Sequence, residues 1–247
     1  MNVSINALID SKSIDISQAI GDQNIYYVVK RFMDVLLSLL ALIFFSPAFI
    51  LISIAIVLDS RGPCIFVQER VGIKLNQRNE RRDWELIIFK CYKFRTMYHD
   101  SDPGLHQNYI KAYIQKDEKG MAECQGKETQ IRKLESDPRV TRVGKILRKT
   151  SLDEIPQFWN ILRGEMSMVG PRPAIPYEIA MYELWHCKRL LGKPGLTGLW
   201  QVTARSSADF DDMVRLDIEY LEKQSLWRDL IILLKTPFVV ISCKGAH

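Results

Sequence analysis

A chain of 247 residues, 47 % of them hydrophobic, holds one large domain or two small ones and can bury a sizeable core. Its formal charge of +5 is mild for a nucleic-acid binder and equally suits a membrane surface or a phosphorylated substrate. The five cysteines (Cys64, Cys91, Cys124, Cys187, Cys243) form no CxxC pair and the four histidines lack metal-ligand spacing, so neither a disulfide frame nor a zinc site is indicated.

The first residues, Met1 to Ile25, are polar with scattered apolar side chains. Phe32 to Leu58 then contains a single charge, Asp34. As a straight helix of roughly 27 residues it would be about 40 Å long, enough for a bilayer core of about 30 Å. It begins too far into the chain, and is too long, for a secretory signal. Ser46-Pro47 interrupts it. Proline lacks an N–H and its ring clashes with the preceding turn, so a kink is predicted, with Ser46 able to bond the freed carbonyl. Lys30 and Arg31 precede the segment, and Arg61 and Arg70 follow it, so the positive-inside rule gives no orientation. Basic flanks on both sides fit a re-entrant hairpin; a kinked transmembrane helix is the plain alternative.

Beyond Gly62-Pro63, "CIFVQERVGI" reads as a strand and turn, and Glu85 to Met97 as a strand. Lys93 and Arg95 alternate on it and so share one face. Residues 99–136 are charged and polar, an insertion with some helix; Asp100-Ser101-Asp102 imitates a metal-binding DxD but reads as turn chemistry beside Pro103-Gly104. Val140, Val143, Ile146 and Leu147 keep helical spacing, with Arg142, Lys145 and Lys149 on another face. Ile155 to Leu162 continues as a second apolar helix. "GPRPAIP" must be extended, because its prolines forbid regular helix. Pro176 opens a helix through Glu178 to Leu191, and Ala208 to Lys223 forms an acidic one. Trp227 to Val240, broken by Lys235 and Pro237, is too short to span and suits an interfacial helix.

Chemistry centres on "TSLDEIPQFWN". Pro156 belongs in the first turn of a helix, which predicts a start near Asp153. Ser151 with Glu154 resembles a capping box, which would start the helix earlier; the later start is favoured. Either way both acids stand at a helix N-terminus, where the dipole and nearby cations would hold them ionised. An ionised aspartate is a nucleophile toward phosphorus and a good Mg²⁺ ligand. The bland alternative is a capped helix with solvated acids. Arg148 lies just upstream, Arg172 is clamped between Pro171 and Pro173, and Arg205 follows "LWQVTA". With Lys93 and Arg95 these cations suggest a site for a substrate carrying several phosphates, which would need Mg²⁺.

Many motifs occur in one order: "KRFMD" (Lys30 to Asp34), Ser46-Pro47, "GPCIFVQERVG" (Gly62 to Gly72), "YKFRTM" (Tyr92 to Met97), "DPRVTRVGKILRKTSLDEIPQFWNILRGEMSMVGPRP" (Asp137 to Pro173) and "KPGLTGLWQV" (Lys193 to Val202). In these the chain resembles bacterial sugar transferases of the monotopic phosphoglycosyl transferase superfamily, from about Lys30 to the C-terminus. The resemblance implies an α+β, mostly helical fold. It divides into an N-terminal extension (1–29), a re-entrant membrane helix broken at Ser46-Pro47 (30–60) and a catalytic domain with interfacial helices on the cytoplasmic face of a bacterial inner membrane (61–247). It implies transfer of a sugar-1-phosphate from a UDP-sugar to polyprenyl phosphate, releasing UMP and starting surface-glycan assembly. Asp153 of the Asp-Glu dyad would form a covalent phosphosugar intermediate. Glu154 would assist Mg²⁺ or proton handling, so that both acids serve as metal ligands. Pro171-Arg172-Pro173 would sit at the nucleotide phosphates, and Lys93, Arg148, Arg205 and Asp217 fall on functional positions.

The chain departs from the family pattern at "IKLNQRNERRD", a longer polar turn after Gly72, and in its longer loop between Met97 and Asp137. With no bundle of membrane helices ahead of it, it reads as a catalytic-domain-only form, and a homodimer stays open. Galactose or glucose is the expected sugar, with an N-acetylated amino sugar as runner-up. A non-enzymatic membrane-anchored scaffold is the alternative of a different class. Nucleic acid is not an expected partner, because the basic helix carries few aromatics.

Overall fold

The computed structural model describes residues 24–78, 81–125, 137–204 and 208–242. It is mostly helical, with two small sheets. Helix α1, Asn24–Asp59, runs for 36 residues with Pro47 inside it. It is long and apolar enough to cross a membrane. The two helices separated by a break, expected over 30–60, are here one helical element that begins at Asn24. The reason is local. Pro47 leaves the Ile43 carbonyl without its usual N–H, and Ser46 Oγ donates to that carbonyl at 2.8 Å. Phe44, Ile50 and Leu51 around the proline are exposed.

Both ends of α1 are bonded to the same domain. Near its start, Lys30 Nζ meets Asp229 at 2.6 Å, and the Arg31 guanidinium donates to the Ile161 and Leu162 carbonyls, each at 2.6 Å. Asp34 accepts from Ser167 Oγ (3.0 Å) and from the Met168 N–H (2.8 Å). At the far end Ile56 is buried against Phe94, Leu147 and Ile155. Asp59 accepts the Val143 N–H at 2.9 Å.

Strands β1, Ile65–Arg78, and β2, Arg81–Phe94, form an antiparallel hairpin in register from Ile65 opposite Phe94 to Arg78 opposite Arg81. The polar stretch expected as a longer turn is therefore mostly strand, and β2 stops before Arg95 and Met97. In the insertion, α2 (Gly104–Gln115) and α3 (Glu118–Gln125) are helical, and Ile114 of α2 packs into the main core with Val71, Ile73, Tyr182 and Val214. Helix α4, Arg142–Thr150, is capped by Thr141, whose Oγ1 accepts from the Gly144 N–H at 3.0 Å. Any Cβ at Gly144 would run into the Thr96 carbonyl. Then come α5 (Gln157–Arg163), β3 (Ser167–Val169) and α6 (Pro176–Ile179).

The helix expected from Pro176 to Leu191 is interrupted: α6 stops at Ile179, and Leu184–Leu191 winds as a separate 3₁₀ helix behind an extended Glu183. The Glu183 N–H is turned to His186 Nδ1 (3.0 Å), which removes it from any continuing helix. Strand β4 (Gly195–Thr197) pairs parallel with β3; α7 (Leu199–Thr203), α8 (Phe210–Glu222) and α9 (Leu226–Ile241) close the chain. Helix α9 covers the segment Trp227 to Val240. It buries Asp229 and Ile232 and exposes Trp227, Leu234, Phe238 and Ile241.

Asp229 is the polar pin between α1, α8 and α9, since the Tyr26 and Tyr220 hydroxyls also donate to it, at 3.0 and 2.6 Å. Asp229→Asn would leave the Lys30 ammonium buried without its counter-charge. A loss of about 3 kcal/mol is expected, read as a lower Tm of the detergent-solubilised protein; an unchanged Tm would show that the pair does not hold α1.

Candidate active site

Helix α4 ends at Thr150 because Ser151 turns left-handed, at φ 57°. A 3₁₀ turn, Leu152–Glu154, follows and carries both acids. Pro156 has no N–H for the Leu152 carbonyl, which takes the Ile155 N–H instead at 3.3 Å and keeps the turn tight. Helix α5 then begins at Gln157, with Pro156 at its N-cap. The start expected near Asp153 is thus too early, and Ser151 makes no capping box: its backbone is committed to ending α4 and its side chain caps nothing.

The turn is held against β2 by Asn160, which is fully buried. Its Oδ1 accepts the Tyr92 N–H at 3.1 Å, and its Nδ2 donates to the Lys90 carbonyl (2.6 Å) and to Glu165 (2.7 Å). The amide thus stands in for a neighbouring strand at the β2 edge. One residue further along β2, Lys93 Nζ meets Glu154 Oε1 at 2.8 Å. Asp153 is half-buried. Burial pushes its carboxyl up to about 6; the Lys93 charge opposes this, Glu154 reinforces it, and Arg148 opposes it. The expectation that dipole and cations would dominate is corrected: desolvation exceeds them. The group is still mostly ionised at neutral pH.

Arg148, in the last turn of α4, donates Nε to Thr96 Oγ1 at 3.0 Å and lies within the field of Asp153. Arg95 lies elsewhere. It is buried and donates to the carbonyls of Ile56 (3.4 Å), in the last turn of α1, and of Ser60 (2.7 Å) and Arg61 just beyond it. Its place among phosphate-binding cations is corrected, because its guanidinium is occupied by that helix end.

Pro171, Arg172 and Pro173 are extended between β3 and α6, and each of their carbonyls is bonded. Pro171 accepts from the Gly195 N–H (2.8 Å), Arg172 from Arg189 Nη2 (3.4 Å) and Pro173 from Arg70 Nη1 (2.7 Å). The half-buried Arg172 side chain has no hydrogen-bond or ion-pair partner among the described residues. Asp217 is 1 % exposed and paired with Arg189 at 2.6 Å. Burial pushes it up to about 6, with Arg189 opposing. A substrate cannot reach this carboxylate, so its expected substrate contact is corrected to support from behind: it fixes Arg189, which holds the Arg172 carbonyl. Arg205 lies outside the described residues.

Sequence reasoning missed Asn160, Arg189 and Arg70. An asparagine set between Trp159 and Ile161 in the apolar run "FWNIL" was a usable signal for Asn160; the two arginines were indistinguishable from surface cations.

Among the described residues no group of three or more His, Cys, Asp or Glu side chains could by itself hold a metal ion. Asp153 and Glu154 offer hard oxygen donors, which fits Mg²⁺ when substrate phosphates and water complete the shell.

The family model for bacterial sugar transferases matches residues 25–243. The chain belongs to this family. It is 39 % identical over 219 residues to "Undecaprenyl-phosphate galactose phosphotransferase" of Salmonella typhimurium, covering 89 % of this chain and 42 % of that protein. It is 38 % identical over 220 residues to "Exopolysaccharide production protein ExoY" of Rhizobium meliloti, covering 89 % and 88 %. To "UDP-N-acetylgalactosamine-undecaprenyl-phosphate N-acetylgalactosaminephosphotransferase" of Aeromonas hydrophila it is 35 % identical over 233 residues, covering 90 % and 46 %. The chain thus spans less than half the length of several relatives and most of ExoY.

Asn160→Leu would strand the Tyr92 N–H, the Lys90 carbonyl and Glu165. A loss of about 2 kcal/mol is expected, measured by unfolding in detergent; wild-type stability in this variant would show that the amide does not pin α5 to β2.

Proposed function

We propose that this family member transfers a hexose-1-phosphate from a UDP-sugar to polyprenyl phosphate at a membrane surface, with Asp153 as nucleophile. The observation that carries this is the half-buried Asp153, set beside Glu154 and within the fields of Lys93 and Arg148. The carboxylate attacks the phosphorus that bears the sugar. The bond to the bridging oxygen breaks, and UMP leaves with that electron pair. A phosphate oxygen of the polyprenyl phosphate then attacks the same phosphorus, releases Asp153 and forms the polyprenyl-diphospho-sugar. Lys93 and Arg148 offset the charge that develops on the transferring phosphoryl group, and Arg172 receives the nucleotide phosphates. Mg²⁺, held by Asp153 and Glu154 together with the phosphates, would neutralise the diphosphate.

Galactose or glucose is the proposed sugar; the name of the Salmonella relative supports galactose. An N-acetylated amino sugar is the second reading, favoured by the name of the Aeromonas relative. For α1 we propose entry and exit through the cytoplasmic face of the inner membrane. What supports this is that Lys30 and Arg31 at one end, and Ile56 and Asp59 at the other, engage one domain. Such a domain cannot stand on both sides of a bilayer.

The deciding experiment is UMP release with Mg²⁺ across a panel of UDP-sugars, with and without undecaprenyl phosphate. A burst matching the enzyme concentration without lipid, then steady turnover with it, is expected; release only when both substrates are present would demote Asp153 to a metal ligand. Asp153→Asn should fold, bind membranes and form no product, and turnover near wild type would remove it as nucleophile.

The pH profile carries a signed expectation. A carboxylate nucleophile is lost on protonation, so kcat/KM should fall as pH drops through about 6. Residual activity of Lys93→Met should show this limb at higher pH, since Lys93 holds the carboxyl down, and Glu154→Gln at lower pH. A limb that neither variant moves would belong to another group.

A further inference from the structure

We propose that Gln68, on β1, is a donor-binding residue whose side-chain amide donates to an oxygen of the second phosphate of the nucleoside diphosphate sugar, the one that carries the sugar. This rests on the reading that Asp153 attacks the donor and that Arg172 receives its nucleotide phosphates. Phe66, Gln68 and Arg70 alternate along β1 and so share one face of the hairpin. The register sets Phe66 opposite Lys93, Gln68 opposite Cys91 and Arg70 opposite Phe89, which brings these side chains onto that same face. Its two ends reach the two halves of the candidate site. At one end Lys93 Nζ meets Glu154 Oε1 at 2.8 Å, next to Asp153 in the chain. At the other, Arg70 Nη1 donates to the Pro173 carbonyl at 2.7 Å, next to Arg172. Gln68 occupies the row between them, about 7 Å along the strand from either. Over Phe89 and Cys91 the face is closed by Ile161 of α5 and by Met166. It opens at Phe66, which is 46 % exposed. Gln68 is half-buried and stands at the inner edge of that opening.

The amide is oriented before any ligand arrives. Arg70 Nη2 donates to Gln68 Oε1 at 2.6 Å. A guanidinium has donors and no acceptor, so only the amide oxygen can face it. The Nε2 group is therefore the arm left over, and it has no hydrogen-bond partner among the described residues. One buried arginine thus fixes both the Gln68 amide and the backbone beside Arg172. A diphosphate attacked by Asp153 at one phosphorus and held by Arg172 at the other end passes over the row between them, and its oxygens are the acceptors that the free arm meets. A pre-set neutral donor suits them. It loses little rotamer freedom on binding, and its bond to an anionic oxygen is charge-assisted. Lys93 and Arg148 offset the charge of the transferring group, while Gln68 sets its direction.

The test is titration calorimetry of UDP and of UMP, each with Mg²⁺, against the full chain in detergent. UDP carries the second phosphate and UMP lacks it. Gln68→Met removes the amide at similar volume. Gln68→Glu keeps an acceptor for Arg70 and puts a second acceptor where the donor was, so its Tm should match wild type. The preference for UDP over UMP should fall about tenfold in Gln68→Met, with UMP affinity unchanged, and should fall further in Gln68→Glu. A preference kept in both variants, with UDP bound more weakly by Arg172→Ala, would overturn the role of Gln68 and leave the donor site standing. Unchanged UDP binding by Arg172→Ala would remove both.

Discussion

The far end of α1 is the point on which the rest of the structure depends. A helix end leaves carbonyls without partners, and a helix start leaves N–H groups without them. Arg95 answers the first need, donating to the Ile56 carbonyl in the last turn of α1 and to Ser60 and Arg61 just beyond it, and Asp59 answers the second, accepting from the Val143 N–H of α4. Arg95 follows directly on β2, and α4 leads into the turn that carries Asp153 and Glu154. One cluster of polar bonds thus joins the long apolar helix, the hairpin and the dyad, with Ile56, Phe94, Leu147 and Ile155 buried beneath it.

The site itself follows from competition between burial and charge. Asp153 is raised by desolvation against two cations, which keeps it basic enough for the role we propose while it remains mostly ionised at neutral pH. Charges that are fully buried behave differently. Lys30 with Asp229, and Arg189 with Asp217, are paired at 2.6 Å and serve as joints between elements. Such pairs fix geometry more than they add stability. The Arg189–Asp217 joint stiffens the Arg172 stretch, whose backbone is bonded while the Arg172 side chain has no hydrogen-bond or ion-pair partner among the described residues.

Helix α2 of the insertion is part of the core, since Ile114 packs with Tyr182 and Val214. The polar sequence of 99–136 pointed to an insertion with some helix, and gave no sign that it would reach the core. Composition could not show that α2 lays a thin apolar face on the rest of the domain, because that face gains meaning only from the surface opposite it.

The sequence by itself determined what depends on near neighbours in the chain. The apolar run of α1 follows from side-chain type, and Ser46 bonding the carbonyl freed by Pro47 is a contact across one turn. The extended proline stretch and the amphipathic α9 follow from φ restriction and periodicity. The hairpin end and the start of α5 were misread, because strand pairing and the 3₁₀ turn at Pro156 are settled by partners outside the local window. Only the tertiary structure decided the fate of the charges. Lys93 and Arg95 stand two residues apart on what reads as one strand, yet Lys93 meets Glu154 and Arg95 ends up beneath the end of α1. Asp217 lies on an acidic helix among solvated neighbours and is almost wholly buried. An ionisable side chain is assigned by the partner and the dielectric it meets, and both come from residues distant in the chain.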